Sequence, residues 1–278
     1  MKMKKFGAIA ASFAMVGALA LAGCGNSGSS AGSASKAGSA ASDDSGSYEL
    51  VKDGTLTVAT SPDFPPFENL DNDEYVGFDM DLARAVAKEM GLEVEFKNIQ
   101  FDGILPAIAA GGQADVGWSG ITVDPDRAKQ VDFSDTYYMD DQSIVTMKDN
   151  ADVTADNVAD SLNKDTVVLA VQSGTSGETY AKENFPNAKV QPYGNATDCF
   201  AAMQSGQATA VVTNLAVGKK MVADAYQDAQ VVKEVSTGEE YAVAVSKDNP
   251  ELTKAVNKAL KKLEDDGTID ELVQKNFS

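Results

Sequence analysis

The residues best suited to chemistry lie in Ser119–Arg127, which reads Ser-Gly-Ile-Thr-Val-Asp-Pro-Asp-Arg. Asp124 is a good N-cap and Pro125 suits a first helical position, so a short helix is expected to begin there. Arg127 falls in its first turn, where the partial positive charge of the helix end disfavours a cation. Free backbone amides, that dipole and a guanidinium together make a site for an anion, and for a carboxylate a bidentate one. The alternative is a surface ion pair of Arg127 with Asp124, Asp126 or Asp132. A related turn, Gln172–Gly177, joins an apolar run to a helical pattern over Glu178–Asn184. It repeats the geometry of an anion site but lacks the lysine of a nucleotide-binding loop, so no nucleotide is read from it. The chain has no histidine. That removes Ser-His-Asp and Cys-His nucleophilic machinery and the commonest zinc ligands, and no cofactor is expected.

The elements that must position these loops alternate between strand and helix. Thr55–Thr60 reads as a strand, and Ser61–Phe67 as a proline-stiffened loop presenting Phe64 and Phe67. A helix opens at Gly77-Phe78-Asp79 and ends at Gly91, with Phe78, Leu82, Val86 and Met90 at a helical period. Leu92, Val94 and Phe96 alternate as a strand, Phe101–Ala110 is a second helix, and Asp115–Trp118 a third strand. This order implies a parallel sheet with helices on both faces, and ligands in such sheets lie at the carboxyl ends of the strands. The Ser61–Phe67 loop, Phe101 and Ser119–Arg127 converge on that edge. Further on, Ser143–Met147 is a strand, Thr154–Leu162 a polar helix and Thr166–Val171 an apolar strand. Ala208–Val212 is another strand, with Asn214 as N-cap of the next helix. Val231–Val235 precedes a crossing segment, Tyr241–Val245 is a strand, and Leu252, Val256, Leu260 and Leu263 mark one face of a long helix. The fold expected is α/β, with two α/β lobes joined by a two-segment hinge and the ligand in the cleft. The first lobe takes 48–139 and 240–278, the second 140–239, and the crossings lie near Tyr137–Asp141 and Thr237–Tyr241.

The first 23 residues are of another kind. Lys2, Lys4 and Lys5 precede an uncharged apolar run, Phe6–Ala20, and Leu21-Ala22-Gly23-Cys24 follows at once. This reads as an export signal, too short and wrongly flanked for a permanent span. Leu21–Cys24 resembles a bacterial lipobox, which implies cleavage before Cys24 and a lipid on its sulfur and new amino group. The alternative is an ordinary secretory signal with a chance cysteine. Residues 24–47 are nearly all Gly, Ser and Ala and read as a flexible tether. Lipid and tether together would hold the domain at the extracytoplasmic face of a cell membrane. Loss of the signal removes three lysines and no acid, taking the net charge from −19 to −22. A strongly acidic exported domain argues against nucleic acid as partner. Cys199 then remains as the one thiol, in an apolar helical pattern that suits packing.

Several motifs stand in a consistent order: Pro65–Glu68, Val76–Ala83, Phe101–Ala107, Gly120–Arg127, Val131–Tyr138, Gln172–Thr175 and Asp266–Leu272. Through them the chain from about Thr55 to Phe277 resembles the bacterial polar amino-acid-binding proteins of ABC importers, solute-binding protein family 3, of the glutamine- and histidine-binding type. The resemblance implies a periplasmic-binding-protein-like fold and a monomer that captures an amino acid for a membrane permease with a cytoplasmic ATPase. It implies that Arg127 takes the ligand α-carboxylate bidentately, completed by the backbone amides of Thr122 and Ser176 from opposite lobes. Ser119 and Gly120 would face the α-ammonium, Phe64 and Phe101 would sandwich the side chain, and Thr175 would add a contact. Two positions depart from the family pattern. Asn214 stands where members usually carry an aspartate that pairs the α-ammonium, so Asp63 or Glu68 would have to assist, or the ligand lacks an ordinary α-ammonium. Ser61 and Gln172 stand where the glutamine binders carry Asp and Lys, so glutamine specificity does not carry over. Asp63 and Glu68 would suit a basic ligand.

Two other readings compete. A cleft enzyme on the same scaffold, of a dehydratase or lytic transglycosylase kind, would need a carboxylic acid in the cleft, and Glu68, Asp63 and Glu178 are the candidates. A sensory module would present the ligand to a separate receptor.

Overall fold

The computed structural model describes residues 47–278. The signal segment, the Cys24 lipidation site and the tether up to residue 46 lie outside the described residues. The elements are β1 (Thr55–Thr60), β2 (Asp63–Phe64), β3 (Glu68–Asp71), β4 (Glu74–Val76), α1 (Phe78–Glu89), β5 (Glu93–Asn98), α2 (Phe101–Ala110), β6 (Val116–Gly117) and β7 (Asp132–Phe133). They continue with β8 (Tyr138–Met147), α3 (Val158–Leu162), β9 (Val168–Gln172), α4 (Ser176–Asn184), β10 (Lys189–Tyr193), α5 (Ala196–Gln204), β11 (Ala210–Asn214) and α6 (Leu215–Asp224). The last are β12 (Ala229–Tyr241), β13 (Ala244–Val245), α7 (Pro250–Asp265) and α8 (Thr268–Asn276).

Two α/β lobes result, each built on a mixed five-stranded sheet. The first has the order β5-β1-β6-β13-β7, with β5, β1 and β6 parallel and β13 antiparallel to both its neighbours. The second has the order β10-β9-β11-β8-β12, with β8 antiparallel to β11 and to β12. The wholly parallel sheets expected from the alternation are therefore modified in each lobe by a strand entering from the other side. The chain leaves the first sheet after β7 and returns with β13, so the stretches before β8 and after β12 are the two crossings. A small β2-β3-β4 sheet was not foreseen, because strands of two to four residues are too short to show alternation.

Local chemistry explains the other differences from expectation. The polar helix expected over Thr154–Leu162 starts only at Val158. The Asn157 Oδ1 accepts from the Thr154 amide at 2.8 Å and its amide donates to the Asp152 carbonyl at 3.1 Å, so a side chain replaces the first helical turn. The strands expected at Val231–Val235 and Tyr241–Val245 are divided differently: β12 runs unbroken from Ala229 to Tyr241 against β8, and only Ala244–Val245 joins the first sheet. Gly77 precedes α1 at φ 118, where any side chain would collide with the Phe67 carbonyl oxygen.

Helices cover both faces of each sheet. Leu82 and Val86 of α1 and Leu252, Val256 and Leu260 of α7 pack with Leu56 and Val58 on one face of the first sheet, and Ile104 and Ile108 of α2 cover the other. Phe200 and Met203 of α5 and Val217 and Met221 of α6 cover one face of the second, and Leu162 and Ala181 the other. Cys199 is buried within that packing. Phe67 is the hub of an aromatic group at the crossings, with ring centroids of Tyr138 and Tyr241 each at 5.1 Å and Phe277 at 5.3 Å. Among the described residues no helix is long and apolar enough to cross a membrane.

Asp115, just before β6, ties the edge of the first lobe together. Its two carboxylate oxygens accept from the amides of Val51 and Thr57, each at 2.7 Å. Asp115→Ala is expected to destabilise the fold by about 1–3 kcal/mol, because the Thr57 amide loses its buried acceptor. Urea unfolding measures this, and an unchanged midpoint would show that water replaces the carboxylate without loss.

Candidate ligand-binding site

The structure brings the expected site residues to one place, the edge where the parallel strands of both sheets end. Ser61 and Phe64 follow β1, Phe101 begins α2, and Ser119, Gly120 and Thr122 follow β6. From the second lobe, Gln172 ends β9, Thr175 is the N-cap and Ser176 the first residue of α4, and Asn214 ends β11. The lobes touch across this line. Ser173 Oγ donates to Asp102 at 2.9 Å, Arg127 Nη2 to the Gly174 carbonyl at 2.9 Å, and Gln172 Nε2 to Asp63 at 3.3 Å. Gly174 comes so near that a Cβ there would lie 2.9 Å from that of Asp102.

Arg127 is 8% exposed and spans the line. The helix expected from Pro125 is a 3-10 turn over Arg127–Lys129. The N-cap of that turn is Asp126, whose side chain makes no cap, and not Asp124 as expected; Asp124 Oδ1 instead accepts the amides of Asp126 and Arg127 at 2.8 and 2.9 Å. These amides are thereby satisfied, so no free helix end accompanies the guanidinium here. Of the two readings of Arg127, the ion pair with Asp124 is present. Its Nε faces Asp124 Oδ2 at 3.1 Å, Nη1 donates to the Thr122 carbonyl at 2.7 Å, and Nη2 reaches Gly174. A guanidinium carries five N–H groups, so each terminal nitrogen keeps one beyond these contacts. Burial pushes the Arg127 pKa down, opposed by Asp124 and Glu239.

Glu239 is the residue that the sequence reading missed. It is 8% exposed, and its Oε2 accepts from Thr122 Oγ1 and Ser176 Oγ at 2.7 Å and from Asn214 Nδ2 at 3.1 Å. Its Oε1 accepts from Gln142 Nε2 at 2.7 Å. The hydroxyls of Thr122 and Ser176 are thus committed to Glu239. Asn214 holds the N-cap position of α6 but its side chain makes no cap; it turns to Glu239 instead. The cause is a bulge in β12. Register against β8 shifts between Val235 and Glu239, with Gly238 at φ 63 and the amides of Thr237 and Gly238 both donating to Asp141 Oδ1. A bulge re-aims the next side chain, and a glycine inside a strand pattern was the signal available for it.

The remaining acids separate by environment. Asp63 accepts from Ser61 Oγ at 2.9 Å, from Gln172 Nε2, and from the Ala196 amide at the start of α5. Burial raises its pKa, and those three hydrogen bonds oppose the rise. Glu68 is 0% exposed and lies behind Ser119, whose Oγ donates to it at 2.8 Å. Its contact with the site residues is thus through Ser119. Glu178 receives the Gly174 amide and Lys182, and so caps the second-lobe turn. Phe101 lies under the Arg127 guanidinium, 5.4 Å from its centroid, and Phe64 stacks on Phe67 at 6.1 Å.

Comparison with known proteins places this geometry. The family model of bacterial extracellular solute-binding proteins, family 3, matches residues 56–278. The Arginine-binding extracellular protein ArtP of Bacillus subtilis is 33% identical over 231 residues, covering 80% of this chain and 86% of its own. An ancestral arginine-binding protein bound to arginine superposes with a TM-score of 0.76 at 40% identity, covering 81% of this chain and 99% of its own. The ancestral amino acid-binding protein AncCDT-1, a precursor of cyclohexadienyl dehydratase, does so with a TM-score of 0.75 at 43% identity, covering 81% and 96%.

Replacing Glu239 by Ala strips buried donors of their shared acceptor in both lobes. A loss of about 1–3 kcal/mol in unfolding free energy is expected. A urea titration that shows no loss would mean that these donors find other partners.

Proposed function

The chain belongs to the bacterial extracellular solute-binding proteins, family 3, and from that premise we propose that it captures an amino acid between its lobes and delivers it to the permease of an ABC importer. The family and the relatives compared are solute-binding proteins and not enzymes. The observation that carries the reading is Arg127, a buried guanidinium with contacts in both lobes and N–H groups still available for one carboxylate. The amides of Thr122 and Ser176 complete that carboxylate site, Ser119 and Gly120 receive the ammonium, and Thr175 adds a second-lobe contact. Phe64 and Phe101 flank the side chain, with Ser61, Gln172 and Asn214 as neutral polar neighbours. The lobe bounds we adopt are 48–139 with 240–278, and 140–239. Cys24 carries the lipid that holds the monomer at the membrane.

The ligand we assign is a cationic amino acid of the arginine kind. Asp63 supports this, as a buried carboxylate at the cleft that holds only neutral donors and lies beside the neutral Ser61 and Gln172. The names of similar proteins, an arginine-binding extracellular protein and an ancestral arginine-binding protein, agree with it. Closure follows binding, because Arg127 and Ser176 reach one carboxylate only with the lobes together.

A thermal-shift screen of the folded domain against the common amino acids, ornithine and citrulline tests the reading. Arginine at a hundred times its dissociation constant is expected to stabilise by about 2.7 kcal/mol. Arg127→Ala is expected to abolish the shift for every amino acid, and Asp63→Asn to weaken arginine more than citrulline. Absence of any shift in the parent protein would overturn the assignment. Gly174→Ala is expected to weaken binding by about tenfold or more while sparing the ligand order, since its φ of 76 and its approach to Asp102 leave no room for a methyl group when the lobes meet. Isothermal titration reads this, and an unchanged affinity would show that the cleft need not close so far.

A further inference from the structure

We infer that Glu68 and Asp79 share a single proton, and that this carboxyl pair positions the Ser119–Gly120 turn on which the proposed ligand site rests. Both side chains are 0% exposed. Each holds one of two consecutive residues: Ser119 Oγ donates to Glu68 Oε1 at 2.8 Å, and the Gly120 amide donates to Asp79 Oδ2 at 2.7 Å. The same Asp79 oxygen receives Tyr137 Oη at 2.8 Å, and Ser119 Oγ accepts in turn from the Ser61 amide at 3.0 Å. The opposite oxygen of each acid, Glu68 Oε2 and Asp79 Oδ1, is buried and finds no donor among the other groups of the protein. The two acids lie within one another's field, Asp79 raising the pKa of Glu68. Carboxylates are acceptors only, so two buried oxygens left without a donor call for a proton on one of the acids.

Electrostatics points the same way. Burial, and then the neighbouring Asp79, push the Glu68 pKa well above the usual carboxylate range. Burial lifts Asp79 up to about 6, against the hydrogen bonds of Gly120, Tyr137 and Glu68. The other groups facing the pair are Asp63, which repels a charge on Glu68, and the phenols of Tyr137 and Tyr241, both held neutral with pKa values raised by burial. None of these neutralises a second negative charge. The protonated state belongs to the folded protein, so its contribution is complete on the acid side and is lost as pH rises through the pair's raised value. Loss of the proton leaves two adjacent buried anions and no bond between them, and the turn carrying Ser119 and Gly120 loses its fixed position.

A primary amide mimics a protonated carboxyl, which gives the test. Glu68→Gln and Asp79→Asn each supply the bridging N–H permanently, and each is expected to keep arginine binding within about threefold of the parent. The double variant carries one hydrogen too many and leaves a donor without an acceptor. Its loss is expected to exceed the product of the single effects by about tenfold. Parent affinity for arginine is expected to hold across neutral pH and to fall only as pH rises through the higher of the pair's two steps, the one that empties it of its proton, and Glu68→Gln to flatten that fall. The chain has no histidine to titrate there. An infrared difference spectrum near neutral pH, parent minus Glu68→Gln, is expected to show the carbonyl band of a protonated acid. Absence of that band, additive effects in the double variant, or failure of either single variant to fold would overturn the inference. If the parent responds to no amino acid, the reading of the cleft fails, while the infrared band still decides the fate of the pair.

Discussion

A carboxylate withdrawn from water must be met by donors on every side, and at Glu239 those donors come from both lobes. Thr122 belongs to the loop after β6, Ser176 opens α4, Asn214 ends β11 and Gln142 lies in β8. No side chain on that list is charged, so the burial of Glu239 is compensated only if all of them are in register at once. The placement of the ligand loops follows from this. Thr122 and Ser176 turn their hydroxyls to Glu239, and Arg127 nearby supplies the long-range charge that favours the arrangement.

A second consequence is layering of charge. Arg127 stands at the cleft with its own acid, Asp124, on the solvent side. Asp63 reaches across to the start of α5. The Glu68–Asp79 pair lies deeper and touches the cleft only through Ser119 and Gly120. Acids thus surround a single buried guanidinium.

Much of this was legible in the sequence, and the limits are physical. Helix α2 and strand β1 match their expected bounds, because the residue types that favour and end an element are local properties. The loops that carry Ser61, Arg127 and Thr175 were legible for the same reason, since turn chemistry and strand ends are written in neighbouring residues. Glu239 was not, because its direction depends on a bulge against β8, whose residues lie about a hundred positions earlier in the chain. Asn214 was read as a cap from its type, and its partner across the sheet decided otherwise. Glu68 shows the same limit: a motif shows that an acid is present but not which side of a buried wall it faces.

The pairing of β8 with β12 begins at Met147 opposite Ala229 and ends at Tyr138 opposite Tyr241, among the aromatic rings around Phe67. A strand of thirteen residues at about 3.3 Å each is some 40 Å long. One two-stranded ribbon therefore closes an edge of the second sheet and leads, at its aromatic end, into the two crossings. A small rotation at its aromatic end becomes a displacement of several ångströms at its far end, as with any stiff lever. Whatever turns the aromatic end of the ribbon therefore turns the far edge of the second sheet with it.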